Sequence, residues 1–229
     1  MNNAPVIPDA IMLDAALALV QTSLAELSWL DVAFGKAQRM VKKVGNQQVI
    51  TPHVYCGGWK GHGKNDYIEV MPDSKIGNFS FFVCDDPVTI NRSNWAREYE
   101  SPFALIVWFD LRRVYGVAAN RNIEYLKQQV VKQIYAANFG MHGRIWVDRV
   151  YEQGPNIYRG FTLNEIQNQS LIHPFGAMRF EGGIMYDEFC QIPAPVLIRS
   201  TFMELRYGFF LKPDRAEGGY SWPMTIPAP

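Results

Sequence analysis

The pattern of apolar and polar positions is clearest between residues 101 and 151. Residues 103–111 (FALIVWFDL) form a nearly unbroken apolar run rich in β-branched and aromatic side chains. A run this short and this apolar predicts a strand covered on both faces, in the middle of a sheet. Residues 122–137 carry apolar side chains at every third or fourth position, which predicts an amphipathic helix. Residues 144–151 predict a second strand, and a parallel pairing of the two strands would give a right-handed crossover.

The N-terminal part of the chain begins with a stretch that predicts a buried helix. Residues 9–30 are mostly apolar, but polar and acidic residues interrupt them, so a membrane-spanning helix is not expected. No basic residue precedes Lys36, which argues against a secretory signal. Residues 33–44 are expected to continue as a helix or as irregular chain until a turn at Gly45 and Asn46.

Further strands are predicted on either side of the central unit. Residues 49–55 look extended, and Pro52 within them favours a position at a sheet edge. Residues 67–71 and 78–83 each predict a strand, and residues 177–186 predict another with a glycine bulge. The helix at 122–137 has a candidate N-cap in Asn120 or Asn122.

Together these elements predict an α/β (α+β) fold with a mixed β-sheet. A long N-terminal helix and one central helix are expected to pack on that sheet. Residues 1–190 are predicted to form a single core domain. Residues 191–229 contain six prolines and are predicted to form an extended C-terminal arm. Tyr220, Trp222 and Met224 on that arm are expected to dock on the chain's own body or on a neighbour.

The positions of the charged residues along the chain are more informative than the net charge. The 229 residues have a formal net charge of zero, so no global attraction to nucleic acid or to an anionic membrane is expected. Three cysteines without paired spacing argue against a disulfide scaffold and for a reducing compartment. Residues 36–64, however, contain six bases and no acid, and residues 66–110 contain eight acids and three bases. Such blocks are either solvated surface or opposite-sign patches that meet in a head-to-tail contact between copies.

The loop of residues 58–64 is the nearest approach to a catalytic motif. It satisfies G-x-x-x-x-G-K, but Asn65 stands where a phosphate loop needs Ser or Thr for magnesium. A strand is predicted after the loop, whereas a phosphate loop leads into a helix. A small hydrolase or nucleotide-binding enzyme that uses this loop therefore remains an alternative, and a basic surface loop is the favoured interpretation.

Metal and other catalytic chemistry have weaker signals. His53, Cys56 and His62 have a spacing that fits no closed zinc site. The chain contains no G-x-S-x-G, H-E-x-x-H or C-x-x-C motif. We therefore expect no enzyme activity and assign no catalytic residue, no cofactor and no metal ligand. The chain is interpreted as a structural or interaction protein.

Three sequence segments extend this interpretation to a protein family. They are DYIEVMPD at 66–73, GNFSFF at 77–82 and PFGAMRFEG at 174–182, in the order of elements given above. With that order, residues 9–190 resemble the neck and tail-terminator-type proteins of tailed bacteriophages, including those of crAss-like phages. The resemblance implies a small α/β subunit that assembles into rings in the DNA conduit between capsid and tail.

The function expected from this resemblance is that of a virion structural protein, assembled in the host cytoplasm. Its expected partners are further copies of itself, other neck, tail or portal proteins, and genome DNA that passes without sequence-specific binding. No membrane partner is expected. An adaptor that binds one protein without forming a ring is the other alternative. The candidate subunit-interface residues are Trp59, Lys60, His62, Lys64, Tyr220, Trp222 and Met224.

Overall fold

A mixed β-sheet of eight strands organises the computed structural model. The structure describes residues 8–56, 59–63, 66–72, 75–85, 88–92, 97–117, 122–137, 143–152, 154 and 156–187. The helices are α1 (Pro8–Leu24), α2 (Leu111–Tyr115), α3 (Ile123–Ala136) and α4 (Glu165–Gln169). The strands are β1 (Val32–Val44), β2 (Gln47–Tyr55), β3 (Tyr67–Glu69), β4 (Phe79–Val83), β5 (Thr89–Arg92), β6 (Arg97–Asp110), β7 (Gly143–Tyr151) and β8 (Phe175–Asp187).

The strands lie in the order β3-β2-β1-β4-β6-β8-β7, and β5 pairs with β6. β1 and β4 are parallel, and the other pairs are antiparallel. The predicted α/β class with a mixed sheet is therefore confirmed. The described residues end at Asp187, so the predicted arm of residues 191–229 lies outside them.

Both faces of the sheet bury apolar side chains. On one face, α1 and α3 pack over a cluster that includes Leu105, Val107 and Phe180. On the other face, residues 157–175 lie over a cluster built on Phe81 and Trp108. The strand predicted at 103–111 is thus covered on both sides, as its unbroken apolar run requires. None of the described helices is both long enough and apolar enough to cross a bilayer.

The predicted strand–helix–strand unit is correct in its elements, but its two strands do not pair directly with each other. β6, α3 and β7 occupy the predicted positions, and the side chain of Asn122 caps α3 by accepting a hydrogen bond from the Tyr125 amide. β8 lies between β6 and β7 and is antiparallel to both. The two strands therefore run in the same direction without touching. β8 matches β6 over thirteen residue pairs, a longer ladder than the shorter β7 could offer.

The expectation of a helix or irregular chain at residues 33–44 is wrong. This segment is β1, which forms an eight-pair antiparallel hairpin with β2 across the predicted turn at Gly45. The pairing with β2 outweighs a local sequence that is compatible with a helix. Pro52 lies one strand inside the edge, because β3 pairs with β2 over residues 53–55. The N-terminal helix ends at Leu24, earlier than predicted.

Asn78 joins the chain segments that start β1, start β4 and end β6. Its side chain is 1% exposed, donates to the Trp29 carbonyl at 2.7 Å and accepts from the Asp110 amide at 2.9 Å. Its backbone carbonyl accepts from the amides of Asp31 and Val32, and its amide donates to the Asp31 carboxylate. The first residue pair of the parallel β1–β4 ladder follows directly from these bonds.

We predict that Asn78→Ala lowers the free energy of unfolding by about 2–5 kcal/mol, because two buried backbone groups lose their partners. Chemical denaturation followed by circular dichroism measures the change. Asn91→Ala, at an exposed position of β5, is the matched control and is expected to change stability by less than about 0.5 kcal/mol. Equal effects of the two substitutions would show that Asn78 does not hold this junction.

Candidate subunit interface on the first hairpin

The β1–β2 hairpin extends past the strands that flank it. β1 makes its last pair with β4 at Lys36, after a register shift that follows Ala33. Beyond that point the outer edge of β1 has no strand partner within the described part of the chain, while its pairing with β2 continues to Val44. We refer to residues 37–54 as the β1–β2 ribbon.

The base of the ribbon is anchored along the outer edge of β2. The Val70 amide donates to the Pro52 carbonyl at 2.9 Å, and the Thr162 amide donates to the Ile50 carbonyl at 2.8 Å. The Thr162 hydroxyl in turn accepts from the Ile50 amide at 3.2 Å. The direction of the ribbon is therefore set by contacts with the rest of the chain.

Arg39 adds a second anchor on the β1 side of the ribbon. Its guanidinium forms an ion pair with the Asp85 carboxylate and lies 5.5 Å from the centre of the Phe161 ring. Gly160, at a φ of +88°, passes so close to this guanidinium that a Cβ there would overlap it. Glycine therefore permits the contact that holds β1 to the body of the chain.

The outer part of the ribbon exposes apolar and basic side chains together. Met40, Val41 and Val44 are 45%, 60% and 62% exposed. Lys42 and Lys43 lie among them, and the segment from β1 to β2 contains no acidic residue. Exposed apolar side chains grouped on a projecting element are typical of a protein contact surface.

His53 and Glu69 occupy the face of the ribbon next to β3. Glu69 accepts a hydrogen bond from the Lys42 ammonium at 3.1 Å and lies 3.6 Å from His53 Nε2. The same His53 nitrogen is 3.1 Å from the Thr51 hydroxyl. Burial and the nearby Lys42 charge lower the pKa of His53, although Glu69 opposes them. The neutral imidazole is therefore favoured in the folded ribbon.

The predicted interface residues of the loop lie against the chain's own body. Trp59 packs edge-on against Phe34, with 5.4 Å between ring centres, and His62 stacks on Trp59. Lys60 lies over the Trp59 ring and donates to the Ile76 carbonyl at 3.2 Å. The contact between Trp59 and Phe34 holds this part of the loop against β1. Lys64, Tyr220, Trp222 and Met224 lie outside the described residues.

The geometry of this region gives little support to metal binding or to nucleotide binding. The described side chains form no group of three or more His, Cys, Asp or Glu residues that could hold a metal ion. Cys56 is buried, with its Sγ 3.2 Å from the Asp66 carbonyl oxygen, and His53 faces Glu69. The segment after the loop is strand β3, whereas a phosphate loop needs a helix there.

The ribbon was not among the sequence-predicted sites, although one signal for it was present. Residues 36–64 stood out as a block of bases without acids, and β1 and β2 carry four of those six bases. These bases form a candidate site because strand pairing places four of them on one hairpin, which the sequence did not predict. Comparison with models of known protein families and with curated proteins finds no match. The functional argument therefore depends on the chain's own geometry.

We predict that acidification below about pH 6.5, the ordinary histidine pKa, destabilises the fold partly through His53. The folded-state pKa is lowered, so the unfolded chain binds more protons, and this contribution to stability is complete above the unfolded pKa and lost as the pH falls below it. Denaturation series between pH 7.5 and 5 measure the effect. His53→Gln is expected to reduce the slope, and Gln48→Asn, a change without a titratable group at an exposed position of the same strand, should leave it unchanged. Identical slopes in wild type and His53→Gln would contradict the assignment.

Proposed function

We propose that the chain is a virion structural protein of a tailed bacteriophage, forming an oligomeric ring in the neck or tail. The observation that supports this most is the β1–β2 ribbon, which is anchored at its base and exposes apolar side chains further out. An isolated two-stranded hairpin is at best marginally stable in water. Contact with another protein surface would shield the exposed apolar groups and stabilise the ribbon.

The core of the described chain has the features expected of a rigid subunit. Both faces of the central strands are covered with apolar side chains, and the Asn78 side chain donates one hydrogen bond and accepts another at the polar junction. An apolar core of this kind keeps a projecting element in one orientation. A subunit that joins a ring needs this property, because small angular errors accumulate around the circle.

The sequence resemblance to neck and tail-terminator-type proteins supplies the biological setting. On this proposal the subunit acts in the virion, is assembled in the host cytoplasm, and contacts copies of itself and other neck, tail or portal proteins. Genome DNA passes through the lumen without sequence-specific binding. The formal net charge of zero suits a conduit that does not retain DNA.

The direct test is the mass of the purified protein, measured by native mass spectrometry or light scattering, together with negative-stain imaging. We expect closed rings of a single stoichiometry, formed by the protein alone or with neck partners. A persistent monomer that enters no ring or particle would overturn the proposal. A complex with one partner and without rotational symmetry would assign the chain as an adaptor.

The contribution of the ribbon is tested by Met40→Asp combined with Val44→Asp. These exposed residues lie on one face of β1, and we expect the oligomer's dissociation constant to rise about tenfold or more, the equivalent of about 1.4 kcal/mol. The thermal unfolding midpoint of the monomer should stay within a few degrees of wild type. Light scattering over a dilution series measures the change.

The control replaces two apolar residues in the region of α4 that are at least as exposed, Ile166→Asp with Ile172→Asp. Assembly of this control should equal that of wild type. If both double variants weaken the oligomer equally, the effect is general surface chemistry and the ribbon has no special role.

A further inference from the structure

One face of the β1–β2 ribbon is defined by the register of three strands. Side chains alternate along a strand, so the even-numbered residues of β1 from 38 to 44 lie on one face. The antiparallel pairing places the odd-numbered residues of β2 from 47 to 53 opposite them, on the same face. β3 adds Glu69, which is opposite His53. We refer to this surface as the Met40 face (residues 38, 40, 42, 44, 47, 49, 51, 53 and 69).

The Met40 face combines exposed apolar side chains with a cluster of three ionisable ones. Met40 and Val44 are 45% and 62% exposed, and Lys42 lies between them. Lys42 Nζ is 3.1 Å from Glu69 Oε2, and His53 Nε2 is 3.6 Å from the same oxygen. A neighbouring subunit that covers Met40 and Val44 must therefore also cover Lys42 and approach the cluster that it forms with Glu69 and His53.

The net charge of this cluster depends on His53. While the imidazole is neutral, the charges of Lys42 and Glu69 cancel. Once the imidazole is protonated, two cations share one carboxylate and the cluster carries an uncompensated positive charge. Removing water from an uncompensated charge costs free energy, whereas a matched ion pair is covered at a lower cost. A protein surface that covers the Met40 face therefore favours the neutral imidazole.

The other groups that face this cluster leave its charge balance unchanged. The Thr51 hydroxyl is 3.1 Å from His53 Nε2 and adds no charge. Tyr55 and Tyr67 continue the same face beyond His53, and their phenols are neutral below pH 8. Lys36, which precedes the Met40 face on β1, interacts with Asp14 of α1. Within the described chain, Glu69 is the carboxylate that acts on His53.

We infer that the ribbon contact between neighbouring copies is proton-sensitive, forming while His53 is neutral and weakening when His53 is protonated. The inference rests on the proposed ring function and adds a means of regulating the same surface. If covering the Met40 face disfavours the imidazolium, the assembled subunit binds fewer protons than the free subunit. The dissociation constant of the oligomer then rises as the pH falls below about 6.5, the ordinary histidine pKa.

The test measures the dissociation constant of the full chain by light scattering, in dilution series at pH 7.5, 6.5 and 5.5. For the wild type we expect a rise of about tenfold between pH 7.5 and 5.5, within the limit of one proton per contact. His53→Gln, which keeps a polar side chain without a titratable group, is expected to lose this dependence. His173→Gln, at an exposed position outside the ribbon, is the control and should retain it.

Glu69→Gln distinguishes proton sensitivity from a simple loss of contacts. Without this carboxylate, Lys42 lies beside His53 with no counter-charge, and the imidazolium is disfavoured further. We therefore expect the rise of the dissociation constant to begin at a lower pH than in the wild type. A merely structural role of Glu69 would weaken assembly by the same factor at every pH. Circular dichroism at each pH verifies that every variant is folded.

The outcomes separate the inference from the ring function. A folded wild type whose dissociation constant does not change between pH 7.5 and 5.5 would overturn the inference and leave the ring standing. Equal pH dependence in wild type and His53→Gln would assign the proton to another group and overturn it as well. If His53→Gln does not fold, the shift in Glu69→Gln decides. A wild type that enters no oligomer at any pH, alone or with neck partners, would overturn both proposals.

Discussion

The hydrogen bonds of Asn78 are the constraint on which the rest of the architecture depends. They hold the turn before β1, the start of β4 and the end of β6 together at one end of these three strands. Because the Asn78 carbonyl binds the amides that precede and begin β1, that strand must leave the junction alongside β4 and in the same direction. The resulting parallel pair is the exception in a sheet whose other pairs are antiparallel. It also determines the end of the sheet at which the β1–β2 ribbon emerges, so a buried amide side chain helps to position an exposed hairpin.

Much of the interior could be predicted from the sequence, because burial leaves a strong pattern. The run at 103–111 and the helical spacing at 122–137 record which faces are covered, and both elements were correctly placed. The order of strands could not be predicted in the same way. β8 lies between β6 and β7 because its glycines allow close approach: a Cβ on Gly182 would overlap the Trp146 carbonyl. A glycine pair in a strand predicts a bulge or a close contact but does not identify the partner.

The ribbon was missed for the opposite physical reason. Its residues from Gln38 to Gln48 are exposed on both faces, so they show no alternation of apolar and polar side chains. Ala, Gln, Arg, Met and Lys are good helix formers, and a local interpretation of residues 37–43 therefore favours a helix. The strand conformation comes from the pairing with β2, a non-local contact that the sequence pattern does not contain. The feature that made the segment hard to predict, exposure on every side, is also the feature that makes it a candidate interface.

The lysines of the ribbon allow a second interpretation, because charged residues on an edge strand commonly prevent aggregation. The two roles are compatible in this geometry. Lys42 and Lys43 oppose pairing with a neutral or basic edge, including the same edge of another copy, and they oppose it less when the approaching strand is flanked by carboxylates. An edge that carries carboxylates therefore suits the ribbon better than a second copy of the ribbon does, and charge supplies selectivity between the two.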